Sequence, residues 1–121
     1  MRILIIEDEP LIRKSLKILL EKKGHQVDAT AYGKEAIELL KINPYERVLL
    51  DLMLQDLNGF DIIETVRLYQ SSEEIKNKFI IMTAYFSVNI LDKAKSYGCP
   101  IWQKPFENIH KLLDGIINEK N

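Results

Sequence analysis

The chain has 121 residues, of which 46% are hydrophobic and 29% charged, with 17 basic against 18 acidic side chains and a net charge of −1. That is enough for one domain with a real core and too little for two. So even a charge balance argues against direct nucleic-acid or membrane binding as the main task. The single cysteine, Cys99, excludes an internal disulfide and suits a reducing compartment. The two histidines, His25 and His110, have no metal-binding neighbours at ligand spacing, which argues against zinc. No apolar run reaches membrane-spanning length and no signal peptide is recognisable, so the expected location is the cytoplasm.

In chain order, Arg2 to Ile6 reads as a strand that runs straight into Glu7, Asp8 and Glu9. A helix stripe of Ile12, Leu16, Leu19 and Leu20 follows and stops at Gly24, a good residue just past a helix end. Gln26 to Thr30 is a second, weaker strand. Ala36, Ile37 and Leu40 mark a helix ended by Asn43-Pro44. Arg47 to Leu50 is a third strand, closed by Asp51. Phe60, Ile63 and Val66 mark a third helix, and "YQSSEEIKNK" reads as a polar loop. Phe79 to Met82 is a fourth strand, closed by Thr83. A fourth helix covers Ser87 to Tyr97, capped by Ser87 and ended by Gly98. Ile101 to Trp102 is a short fifth strand, and Ile109, Leu112, Leu113, Ile116 and Ile117 give a final helix stripe. Three strands are near-continuous apolar runs, as parallel strands covered on both faces should be. Strict β-α alternation predicts one parallel sheet with helices on both sides, and ligands beyond the carboxyl ends of its strands.

The residues at those ends are Glu7 and Asp8, Asp51, Thr83 and Lys104. Three adjacent acids repel one another, by somewhat under ~1 kcal/mol per pair at about 5 Å in water and more in a cleft. A helix N-terminus could offset this, with Asp8 or Glu9 as N-cap and Pro10 at the first helical position. A bound cation is the alternative. Carboxylates suit Mg2+, a carboxylate can serve as nucleophile toward phosphorus, and a lysine and a hydroxyl can steady the moving oxygens. Taken singly, each residue has an ordinary structural explanation; it is their joint placement on successive strand ends that points to a phosphoryl site.

The stretches "IIEDEP", "LLDLMLQDLNGFD", "IIMTAY" and "KPF", in this order and spacing, resemble the receiver domain of two-component response regulators, over the whole chain, 1–121. The resemblance implies a doubly wound, flavodoxin-like α/β fold, (βα)5, with a five-stranded parallel sheet of order 2-1-3-4-5. It implies that Asp51 is the phosphoacceptor, that Glu7, Asp8, Asp51 and the backbone carbonyl of Met53 hold Mg2+ (Mn2+ as substitute), and that Thr83 and Lys104 contact the acyl phosphate. It implies a cis bond between Lys104 and Pro105, and a turn at Gly59 where a positive φ is cheap. The phosphodonor would be a sensor histidine kinase or phosphotransfer protein, docking on the first helix around Leu11, Lys14 and Ser15. The domain would be a switch rather than an enzyme proper. Phosphorylation would alter the face built from the predicted fourth helix, fifth strand and fifth helix, which binds an effector protein or an attached output domain.

Several positions depart from the family pattern. Gln55 replaces a customary proline, which implies a more mobile loop. The segment "YGCPIWQKPF" is one residue short. Ile101 occupies the place of the switch aromatic, with Trp102 beside it on the opposite strand face, so Thr83, Ile101 and Trp102 are the candidate switch residues. Met53 and Tyr85, bulky and without an acid or amide to position water, imply slow self-dephosphorylation. Two other classes fit less well. An interaction module that had lost its chemistry would lack some of these residues. A phosphatase with an aspartate nucleophile would want a second acid where Met53 stands.

Overall fold

The apolar runs form the middle of one sheet. The computed structural model describes residues 1–104; the predicted last helix, His110 and the Pro105 side of the Lys104-Pro105 bond lie outside the described residues. Within them, β1(Arg2–Ile6), β2(Gln26–Thr30), β3(Arg47–Asp51), β4(Phe79–Thr83) and β5(Ile101–Gln103) pair in parallel in the order β2-β1-β3-β4-β5. Every residue of β3 and β4 is buried, whereas β2 and β5 keep exposed positions, as edge strands should. The helices are α1(Pro10–Lys22), α2(Gly33–Ile42), α3(Gly59–Val66), α4(Ser72–Lys78) and α5(Val88–Tyr97). None of them is long and apolar enough to cross a membrane.

Strand side chains alternate between two cores even where the sequence is apolar throughout. Leu4, Ile6, Val48, Leu50, Phe79 and Ile81 pack with residues of α2 to α5, among them Leu40, Ile63, Ile75 and Ala94. Ile3, Ile5, Leu49, Ile80 and Met82 face the other way, against Leu16 and Leu20 of α1. The chain steps from β1 to β2 on one side, then returns to lay β3 on the other side of β1. The carboxyl ends of β1 and β3 therefore flank the point where the winding reverses, the usual position of a ligand crevice.

Most predicted boundaries coincide with the observed ones, and the caps behave as expected. The Ser87 side chain accepts the Ile90 N–H, and Gly98 ends α5 with φ +74°. Two expectations are corrected. The polar "loop" before β4 contains α4, whose Ser71 and Glu74 form a reciprocal capping box. Ser-x-x-Glu was the signal for it, and the helix predicted as fourth is thus α5. Gly59 does open α3, but not through a positive φ: among the described residues only Gly24 and Gly98 have one. Gly59 is needed for closeness, since a Cβ there would stand 2.7 Å from the Asp51 carbonyl oxygen and 2.9 Å from Leu52 Cα.

Candidate functional site

Glu7 prolongs β1, its N–H bonded to the Thr30 carbonyl at 3.0 Å. Its side chain is fully buried, Asp8 is half-buried and Glu9 exposed. A helix cap does not account for these acids. Glu9 holds the N-cap position of α1 and Pro10 the first helical one, but the Glu9 side chain makes no capping bond. Instead the Glu9 N–H donates to Glu7 Oε2 at 3.1 Å. Arg13, one turn into α1, donates to the carbonyl oxygens of Glu7 (2.9 Å) and Asp8 (3.3 Å) and so fixes the turn between strand and helix.

Asp51 ends β3 with 1% exposure. One carboxylate oxygen each from Glu7, Asp8 and Asp51 lie within 4.8 Å of one another. Lys104 follows β5 and reaches back across the rim, its Nζ 2.7 Å from Glu7 Oε1 and 3.5 Å from Asp51 Oδ2. The Lys104 N–H donates to the Thr83 carbonyl at 2.8 Å, which joins the ends of β4 and β5. Thr83 is buried, and its hydroxyl is engaged with Tyr85, accepting that residue's N–H at 3.0 Å and donating to its carbonyl at 3.1 Å. An open cleft of about 450 Å³ above these groups is lined by Asp8, Asp51, Met53, Ala84, Tyr85 and Lys104.

One ammonium among three carboxylates leaves this pocket short of positive charge. Burial, then the neighbouring Glu7 and Asp8 carboxylates, push the Asp51 carboxyl up to about 8, and Lys104 only partly opposes them. For Lys104, burial disfavours the charge, but the Glu7 hydrogen bond and the charges of Asp51 and Glu7 outweigh it and hold the ammonium above its usual value. A cation would balance the charge of three clustered carboxylates. Oxygen ligands around one octahedral Mg2+ stand about 3–4 Å apart, so the three acids need only a slight contraction to share one. The residues fit the ion.

The loop after Asp51 is held at several points. The Met53 N–H donates to Asp51 Oδ1 at 3.2 Å, and Met53 pairs with Asn58 in an isolated antiparallel bridge. The Asn58 side chain caps α3, and the Gly59 N–H donates to the Leu52 carbonyl at 2.9 Å. Asp56 binds the start of α2. The expected looseness from Gln55 is thus countered by anchors on either side of it. Arg13 and Asp56 were missed from sequence, because both act on backbone brought near only by folding. Met53 and Tyr85 both line the cleft with exposed side chains. Ile101 packs with the α2–α5 core and Trp102 with the α1 core, in register with Ile81 and Met82. The short β5 segment therefore leaves Trp102 on the face opposite Ile101. Cys99 is buried, and burial pushes its thiol up to about 11, so it is a packed residue rather than a reactive one.

A doubly wound α/β domain with an acid cluster and a lysine at its switch point has the flavodoxin-like receiver architecture. A model of the response regulator receiver domain family matches residues 3–114, and the chain belongs to that family, the signalling switches of two-component systems. The cell cycle response regulator CtrA of Brucella ovis is 33% identical over 98 residues, covering 81% of this chain and 40% of that protein. The chain thus spans well under half the length of the curated relatives it matches. Among solved structures, a CheY-like receiver domain protein from Methanospirillum hungatei is 26% identical with TM-score 0.86, covering 98% of this chain and 92% of that one. The response regulator TrrA of Thermotoga maritima, solved in complex with Mg2+ and BeF, is 26% identical with TM-score 0.76, covering 96% of each chain. Receiver domains of this family work with histidine kinases and effectors.

Proposed function

We propose that this domain is a magnesium-dependent phosphoacceptor, in which Asp51 takes a phosphoryl group from a phosphohistidine of a sensor histidine kinase or phosphotransfer protein. The observation that carries the reading is the placement of a buried Asp51 carboxylate within 4.8 Å of Glu7 and Asp8 oxygens and 3.5 Å from the Lys104 ammonium. The TrrA complex with Mg2+ and BeF adds support from a protein of the same fold. Glu7, Asp8, Asp51 and the Met53 carbonyl would hold Mg2+. When bound, the ion supplies positive charge to the carboxylates and to the phosphoryl oxygens.

The chain's own groups do the rest. An Asp51 oxygen attacks phosphorus in line while the bond from phosphorus to the donor imidazole breaks, and the imidazole leaves with that electron pair. Lys104, shared between Glu7 and Asp51 at rest, turns toward the new phosphoryl oxygens. Thr83 exchanges its bond to the Tyr85 carbonyl for one to a phosphoryl oxygen, drawing in the loop after β4. Because Lys104 and Thr83 are joined through their backbone, both movements act on the ends of β4 and β5 together. Charge-assisted hydrogen bonds of about 1.5–3 kcal/mol each suffice to shift a two-state equilibrium at the α5-β5 face. Ile101, on that face, offers a smaller repacking than an aromatic would.

The test is intact mass after incubation with Mg2+ and acetyl phosphate. A single phosphoryl adduct in the wild type, absent from Asp51→Asn and lost when magnesium is chelated, is the expected result. A folded wild-type protein that gains no adduct would return the domain to the class of interaction modules without phosphoryl chemistry.

A further inference from the structure

Helix α2 begins without a cap of its own. Tyr32 occupies the N-cap position and its side chain makes no capping bond. The N–H groups of Gly33 and Lys34 are taken instead by a distant carboxylate: Gly33 donates to Asp56 Oδ1 at 2.8 Å and Lys34 to Asp56 Oδ2 at 3.0 Å. These bonds hold the Asp56 carboxyl below the usual carboxylate range. The next residue, Leu57, lies so near Gly33 that a Cβ there would stand 2.9 Å from two of its carbons. Asp56 and Leu57 thus clamp the middle of the loop 52–58 onto the first turn of α2.

That loop starts one residue after Asp51 and contains Met53, whose N–H already bonds the Asp51 carboxylate. Its two ends are fixed by β3 and by the Asn58 cap of α3. Between them lie exposed Met53 and Gln55, with no proline to stiffen the backbone. We infer that Asp56 is a positioning residue for the metal site: by closing both oxygens on α2 it holds the loop backbone so that Met53 faces the carboxylates of Glu7, Asp8 and Asp51. The inference rests on the reading that these groups hold Mg2+. The ion demands near-ideal octahedral geometry, so a loop that must be ordered at the moment of binding weakens affinity. Losing partners that orient metal ligands typically lowers affinity by about 10–100-fold.

The test is Mg2+ titration by calorimetry, with the metal alone, on wild type, Asp56→Ala, Asp56→Asn and Glu35→Gly. Glu35 is exposed in the first turn of α2, so its replacement by glycine weakens the helix without touching the loop. The expected Kd for Asp56→Ala is raised on the order of 10-fold. Asp56→Asn, which keeps one acceptor, falls between it and wild type, and Glu35→Gly leaves the Kd unchanged despite a lower Tm. Wild-type affinity in Asp56→Ala would overturn the inference. Equal losses in Asp56→Asn and Asp56→Ala would assign the effect to charge rather than position. An equal loss in Glu35→Gly would reduce Asp56 to a helix cap. A wild type that binds no Mg2+ would instead overturn the metal reading itself.

Discussion

Replacing Gly59 by alanine tests the packing that holds the acid loop. At an unhindered helix position the exchange helps by up to ~1 kcal/mol, chiefly because the unfolded chain loses conformational freedom. Gly59 is the first residue of α3 and its φ is not positive, so backbone strain does not oppose the change. Space does. The new methyl would lie 2.7 Å from the Asp51 carbonyl oxygen and 2.9 Å from Leu52 Cα, where ordinary contact begins near 3.4 Å. Both neighbours are backbone. Asp51 is paired with Met82 in β4, and the Leu52 carbonyl accepts the Gly59 N–H itself. Relief requires lifting the loop or tilting α3, which carries Phe60, Ile63 and Val66 into the core. Overpacking of this kind costs about 1–3 kcal/mol, and two contacts under 3.0 Å with fixed backbone put it toward the upper end, so it outweighs the gain. Urea unfolding of Gly59→Ala should therefore show a net loss of about 1–2 kcal/mol at unchanged m. A Gly59→Ala protein as stable as wild type, or more so, would refute the reasoning.

Stability of the metal-free protein should fall as pH rises. Asp51 is raised when folded, so the folded state binds the proton more tightly, and the advantage present below the ordinary carboxylate range is lost as pH climbs toward about 8. Denaturation in chelator across that window should show a slope of at most ~1.4 kcal/mol per pH unit, flattened in Asp51→Asn; an unchanged slope in the mutant would remove Asp51 as its source. Met53→Asn combined with Tyr85→Glu places groups that can orient water in the cleft, and loss of the phosphoryl group should accelerate on the order of 10-fold, a modest part of what positioned acid-base groups contribute. A decay rate equal to wild type would dismiss both residues as determinants of lifetime. Ser71→Ala removes half of the α4 capping box and should cost about 1 kcal/mol in urea unfolding; no change would mean that α4 is held by Ile75 and its neighbours alone.

The sequence by itself determined the five strands and their order along the chain, the parallel sheet and the residues at its carboxyl rim. Each rests on a local rule: apolar runs of strand length, helix periodicity between them, and caps at Ser87, Gly24 and Gly98. It also placed Glu7, Asp8, Asp51, Thr83 and Lys104 together, because parallel strands bring their ends to one edge. The same local reading passed over α4, since a seven-residue helix with one buried apolar residue, Ile75, has almost no periodicity to detect. Only the tertiary structure decided which of the adjacent acids points inward, that Lys104 rests nearer Glu7 than Asp51, and that Thr83 is turned to Tyr85. It alone explained Gly59 by closeness to the Asp51 carbonyl, and brought Asp56 to the start of α2, 23 residues away along the chain. Such features depend on distances between backbones that no local pattern encodes. They exist only once the strands and helices have packed.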